Sequence, residues 1–380
     1  MYEMPNLNWL NGQYWIHSSI NISTYVRKCF KGVIGFVIKT PITHKSTIFA
    51  VVKDQKIQLF RALAIIAVVM IHTTPAGEWQ IFCKPFINFA VAAFIFLSGY
   101  LTKAENDDWM GFYRRRIMRV ALPYVIWTAI YSIPDMISGG AVTLLKNLLS
   151  ANANVSLYYI FVYIQFVLLT PAIARLAKSR YSVLGWLVAP VSVIIFKYYG
   201  LFAGVELNKH VALLWSDLCL GWFTFYYLGM MLGNRIIDRQ FNLRNLVILY
   251  VASIMLQMGE GYVWSLYDMT GCGSQLKLSS LLTSAVAMLI MYTLLQNKKW
   301  QPRNSLLTAI GDNSFGIYLC HLMVMDILDY IPYYSSIPFP VNSVIVVFLS
   351  FLLCRGFDIC VKWGMRITKK QPDENQTASL

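Results

Sequence analysis

The feature that most constrains this chain is its series of ten apolar segments, each near the roughly 20 residues that cross a hydrocarbon core. They lie near 57–74, 81–101, 118–137, 155–176, 182–202, 211–233, 245–264, 278–296, 312–331 and 341–363. With no water in a bilayer core, backbone groups must bond within their own segment, so such runs become helices. The alternation of a β-barrel is absent. The expected fold is all-α: a polytopic membrane protein of about ten transmembrane helices. Composition agrees. Of 380 residues, 57% are hydrophobic and only 13% are charged, about half the charged share of a soluble domain. A disordered chain, a small secreted scaffold and almost any water-soluble enzyme are thereby excluded. The seven cysteines form no CxxC pair and no framework spacing, so neither a disulfide nor a metal site is expected.

The net charge of +14 would point to nucleic acid in a soluble protein. In a membrane protein it reflects Lys and Arg retained in cytoplasmic loops, and no nucleic-acid partner is expected. The loops after segments 2, 4, 6 and 8 are the basic ones. They carry Lys103 and Arg114–Arg116, then Lys178 and Arg180, then Arg235, Arg239 and Arg244, then Lys298, Lys299 and Arg303. The intervening loops carry only Lys146, Lys209 and Lys277, with Lys84 at the edge of segment 2. Both termini are then cytoplasmic, and His210 lies outside. Three regions follow: an extension at 1–55, cytoplasmic or interfacial; a membrane domain at 56–365; and a polar cytoplasmic tail at 366–380.

Ionisable residues inside spans are costly and mark function by default. In the first span, KIQLFRALAIIAVVMIHTT, Arg61 and His72 are 11 residues apart. That is three turns with about 20° left over, so both share one helix face, roughly 16 Å apart along the axis. A snorkelling arginine and a hydrogen-bonded interior histidine would give the same pattern. Arg116 and Arg119 are i,i+3 neighbours at the basic end of span 3. They either anchor topology or hold phosphates through planar, bidentate guanidinium groups. Ser98 and Gly99 suit close helix approach and, with Ser314, are candidates for a cofactor-binding surface. Asp312, Asn313 or Ser314 can cap span 9, on which Ser314, Tyr318 and His321 form a polar stripe. Lys197, Asp217, Glu260 and Asp326 fall in the outer halves of their spans and outline a polar vestibule.

Four motifs occur in order: Arg61-x10-His72, the FLSGYL of Phe96–Leu101, Arg116-x2-Arg119 followed by Pro123-Tyr124, and SFGIYLCH from Ser314 to His321. With these, the chain over about 56–365 resembles the integral-membrane acyltransferase family 3, which includes surface-polysaccharide O-acetyltransferases. The first 55 residues depart from the family pattern, in which span 1 comes almost at once. The resemblance implies transfer from cytoplasmic acyl-CoA, acetyl-CoA by default, to a hydroxyl of an extracytoplasmic glycan or lipid-linked sugar. It implies a multi-pass protein of a bacterial plasma membrane, in contact with membrane lipid and using no metal. The family's essential arginine and histidine map onto Arg61 and His72, its paired arginines onto Arg116 and Arg119, and a signature histidine onto His321. A transporter or flippase for a polysaccharide or its lipid-linked precursor is the alternative. Such carriers often show inverted repeats and broken helices in matching halves, and no such symmetry is evident.

Overall fold

Asp54 starts the first helix. Its carboxylate accepts from the Lys56 N–H at 2.9 Å, satisfying one of the donors a helix N-terminus leaves free. The computed structural model describes residues 54–134, 136, 140–150, 153–203, 218–303 and 305–369. The helices are α1 (Gln55–Thr73), α2 (Trp79–Ile87), α3 (Phe89–Tyr100), α4 (Trp109–Tyr131), α5 (Ala141–Ser150) and α6 (Tyr158–Lys178). Then come α7 (Leu184–Val193), α8 (Phe223–Gly233), α9 (Leu243–Ser265), α10 (Leu278–Gln296), α11 (Ser305–Asp312), α12 (Ser314–Asp329) and α13 (Val341–Lys369). A π-turn at Ile194–Tyr198 and a helical turn at Tyr199–Ala203 continue α7. No strand occurs among the described residues. The proposed extension up to residue 53, Lys209, His210, Asp217 and the tail from 370 lie outside the described residues.

Among the described residues, seven helices are long and apolar enough to cross a membrane, with α2 and α3 counting as one (Trp79–Tyr100) and α7 with its continuation as another (Leu184–Phe202). The three remaining segments of the sequence reading fall outside that set for separate reasons. α4 carries Arg114, Arg115, Arg116 and Arg119 in its first half. α8 has 11 residues and α12 has 16. The exposed surface is that of a lipid-facing bundle. α9 presents Val247, Ile248, Val251 and Met255 outward, and α13 presents Val344, Phe348 and Leu352. Apolar faces of this extent are not left open to water on soluble proteins.

The elements that bear on function fall in one contact unit, Lys53–Phe357. Its tightest seam joins α3 to α8, and glycine is what permits it. A Cβ on Gly99 would lie 2.2 Å from the Tyr226 carbonyl oxygen. One on Gly229 would lie 2.2 Å from the Phe96 carbonyl, and one on Gly233 would lie 2.1 Å from that of Tyr100. The two backbones touch, as small residues allow in membranes. Around the seam are the buried rings of Phe96, Phe166, Phe225, Tyr226 and Tyr227, with Phe166 and Tyr226 stacked at 4.7 Å. Gly229→Val would drive a branched side chain into a carbonyl. Overpacking of this kind costs about 1–3 kcal/mol, so the variant should unfold at a clearly lower temperature in detergent, while Gly259→Ala, where a Cβ meets nothing within 4 Å, should not.

α1 is the hub. It packs against α2, α3, α11 and α12, and Lys56 at its start donates to the carbonyls of Leu295 (3.2 Å) and Asn297 (2.7 Å) at the end of α10. At its other end the Thr73 hydroxyl meets that of Ser343 on α13 at 2.6 Å. The helix bearing Arg61 and His72 is thus fixed at both ends.

Candidate active site

His72 lies on the last turn of α1 and is half-buried. Its ring centroid is 5.2 Å from that of His321 on α12, with the planes tilted by 54°. His321 is fully buried, and its Nδ1 is 2.7 Å from the Tyr318 carbonyl oxygen. A carbonyl only accepts, so Nδ1 carries the hydrogen and Nε2 presents a lone pair. That Nε2 has no hydrogen-bond partner among the described residues. The tautomer is therefore set by the helix backbone itself, and the nitrogen left bare is the kind a proton acceptor needs.

Tyr131 holds this part of α12. Its hydroxyl donates to the Leu319 carbonyl at 2.8 Å and accepts from the Met323 N–H at 3.2 Å. Those two groups are the i−4 acceptor and the donor of one helical turn. A side chain from α4 bridges them on either side of His321. Nothing in the sequence singled out Tyr131, because its partner groups are backbone atoms of a distant helix. We expect Tyr131→Phe to reorient His321. A hydrogen bond of about 1 kcal/mol corresponds to roughly a fivefold loss of turnover, read as kcat with acyl-CoA affinity unchanged.

At the other end of α1 sits Arg61. Its guanidinium is 3.4 Å from Gln58 Oε1 and within electrostatic reach of Tyr159, Asp312 and Arg119. Asp312 arrives there through Gly311, where a Cβ would lie 1.9 Å from the Gln58 carbonyl oxygen. α11 therefore lies with its backbone directly on α1. The expected capped helix start at Asp312–Ser314 is instead a joint between α11 and α12. The Asn313 N–H bonds back to the Ala309 and Ile310 carbonyls, and the Asn313 side chain donates to the Ala309 carbonyl at 2.8 Å. The backbone donors of a free N-terminus are thus partly used inside the joint. Ser314 is fully buried, and its hydroxyl has no partner among the described residues.

The two arginines of the second motif separate. Arg119 is exposed and shares the field of Arg61. Arg116 lies 5.2 Å over the Phe112 ring and donates to the Leu101 carbonyl at 3.3 Å, tying α4 to the loop after α3. That loop has a second clamp in Asn234. Its Oδ1 accepts from the Ala104 N–H at 2.8 Å, and its Nδ2 donates to the Thr102 carbonyl at 2.9 Å. Gly99 makes the α3–α8 contact, and the neighbouring Ser98 hydroxyl is buried without a partner. Aromatic rings connect the two ends of the site. Tyr159, beside Arg61, packs on Tyr318 at 5.5 Å, and Tyr318 lies 6.1 Å from His321.

Residues 54–356 match the family described as an acyltransferase domain, acyltransferase 3. The chain belongs to this family. It is a membrane acyltransferase. Comparison with curated proteins and with solved structures gave no match. The family match takes in every helix from α1 to α12 and most of the contact unit, and so contains Arg61, His72, Arg116, Arg119 and His321. Of the residues expected to outline a polar vestibule, Glu260 accepts from the Tyr198 hydroxyl and from the backbone and hydroxyl of Ser279. Lys197 lies beside Asp268, and Asp326 is exposed near Asp329.

Proposed function

We propose that this acyltransferase takes an acyl group, acetyl by default, from cytoplasmic acyl-CoA. It delivers the group to a hydroxyl of an extracytoplasmic glycan or lipid-linked sugar at a plasma membrane. In this reading the chain spans the bilayer ten times with both termini in the cytoplasm. The observation that carries it is the arrangement along α1. An arginine cluster, Arg61 with Arg119, lies at one end, and a histidine pair, His72 with His321, lies at the other. The two ends are roughly 16 Å apart, on the order of an extended pantetheine. CoA phosphates held by guanidinium groups at the basic end would leave the thioester near His72.

The chemistry follows from the groups present. A sugar hydroxyl attacks the thioester carbonyl, and His72 takes its proton as the C–O bond forms. The C–S bond breaks, and the CoA thiolate leaves and receives that proton. His321 keeps its own hydrogen on Nδ1 and assists through position. Ser98, Gly99 and Ser314 are proposed to belong to the CoA-binding surface, Ser314 through its place two residues after Asp312, which lies within electrostatic reach of Arg61.

Two experiments test the reading. Mass spectrometry of surface glycans from cells with and without the protein should show an ester of one acyl mass that depends on it. Identical glycans and lipid-linked precursors would reject the acceptor class. A cysteine in place of Lys209 should react with an impermeant reagent on intact cells. Reaction only after permeabilisation would invert the topology.

A further inference from the structure

Near His72 the membrane domain carries a positive charge that no carboxylate balances among the described residues. Lys84 of α2 is half-buried, and His72 lies within its electrostatic reach. Its one hydrogen bond is to Gln80 Oε1 at 3.1 Å, and it makes no ion pair among the described residues. Its stem occupies the space that a side chain on Gly273 would fill, since a Cβ there would lie 2.5 Å from Lys84 Cδ. Lys277 is only 1% exposed, and its ammonium donates to the Cys272 carbonyl. Glu260 is the carboxylate within reach of Lys277, and Asp268 the one within reach of Lys197. Among the described residues, three lysines therefore face two carboxylates, and Lys84 is the one left over. One turn on, Asn88 is 1% exposed. Its Nδ2 donates to the carbonyls of Gly273 and Ser274, while its Oδ1 has no partner among the described residues. A half-buried ammonium without a counter-charge is costly in a membrane setting and marks a place where a ligand supplies one.

We propose that Lys84, with Lys277 behind it and Asn88 beside it, forms an anion subsite for the acceptor. The hydroxyl that is acylated then belongs to a molecule bearing a carboxylate or phosphate a short distance away. This rests on the acyl-transfer reading of His72. The lysine draws the anionic group to the α2–α10 side of the histidine, and Asn88 Oδ1 receives a neighbouring hydroxyl. Placement by a charge also gives specificity, because a neutral analogue leaves the lysine unpaired.

The test uses the full chain in phosphatidylcholine nanodiscs and reads binding without turnover. Methyl glucuronide, glycerol phosphate and polyprenyl phosphate in the disc lipid are the anionic probes. Methyl glucoside and the methyl ester of the glucuronide are the neutral ones. An anion that binds the folded state should raise the unfolding midpoint as its concentration rises, and the neutral probes should not. Lys84→Gln should remove that response and Lys84→Arg keep it. A response to polyprenyl phosphate alone assigns a lipid-linked acceptor, and a response to the soluble probes assigns a free glycan. No response to any anion, or one unchanged in Lys84→Gln, overturns the subsite. If Lys84→Gln does not insert, the wild-type comparison of glucuronide with its methyl ester decides. Thioester turnover on a neutral sugar with no anion response removes the subsite and leaves the transferase intact. Anion binding lost in Lys84→Gln, with no turnover of acyl-CoA, keeps the subsite and counts against the transferase.

Discussion

Replacing His72 by alanine is expected to lower acyl transfer by roughly 10²–10⁴-fold while acyl-CoA still binds. The expectation comes from position. His72 is half-buried and lies in ring contact with His321, which is fully buried. Of the pair, His72 is the one an incoming hydroxyl can reach, because His321 has no exposed surface. His72 also shares a helix face with Arg61, so donor and base are registered by one rigid element. His321 has its Nδ1–H committed to the Tyr318 carbonyl, and its bare Nε2 can stabilise the imidazolium that forms on its neighbour. His321→Ala should therefore cost less than His72→Ala. Kinetics of correctly inserted variants decide between them. Near-normal turnover in His72→Ala, with His321→Ala inactive, would move the proton transfer to His321.

Loss of donor binding is the expected result of removing the arginine cluster. Charge-assisted bonds to phosphate contribute about 1.5–3 kcal/mol each, and about 1.4 kcal/mol is a factor of ten. Arg119→Ala should raise the Kd for acyl-CoA about tenfold or more. Arg119 is exposed and makes no ion pair among the described residues, so its removal should leave the fold intact. Arg119→Lys should be a poor substitute, because an ammonium lacks the planar fork. Arg116 is bound to the Leu101 carbonyl, so Arg116→Ala should weaken donor binding less and loosen the loop at 101–108 more. Equal affinity for acyl-CoA in wild type and Arg119→Ala, measured by equilibrium binding in detergent, would remove Arg119 from the donor site.

What could be read from the chain alone was whatever lives on a single helix. Hydropathy and length located the helical segments, because burial in hydrocarbon leaves the backbone no other choice. The shared face of Arg61 and His72 followed from helix periodicity. Pairings between helices did not follow. His321 was visible as a buried histidine, but its contact with His72 depends on α12 packing against α1, which no periodicity encodes. The same holds for Tyr131, whose hydroxyl meets backbone groups on α12. Asp312, Asn313 and Ser314 read as a helix cap, and Gly311 just before them carried no signal of its own. Its actual role is to let α11 touch α1, and that shows only once both backbones are in place. Lys84 counted only as a charge at the edge of segment 2, since a lysine near a span end ordinarily snorkels to the interface. Its significance comes from the absence of a carboxylate partner among the described residues.

The most direct test of the whole account is sided acyl transfer in proteoliposomes with the protein in one known orientation. Acetyl-CoA labelled in the acetyl group is supplied on the face bearing Arg61 and Arg119, and an acceptor glycan is enclosed on the face bearing His72. The expected result is free CoA thiol on the first side and labelled ester on the second. Neither should appear with Arg61→Ala or His72→Ala, or when acetyl-CoA is supplied on the second side. Passage of the glycan across the membrane without thiol release, unchanged in both variants, would contradict acyl transfer and assign the protein as a carrier.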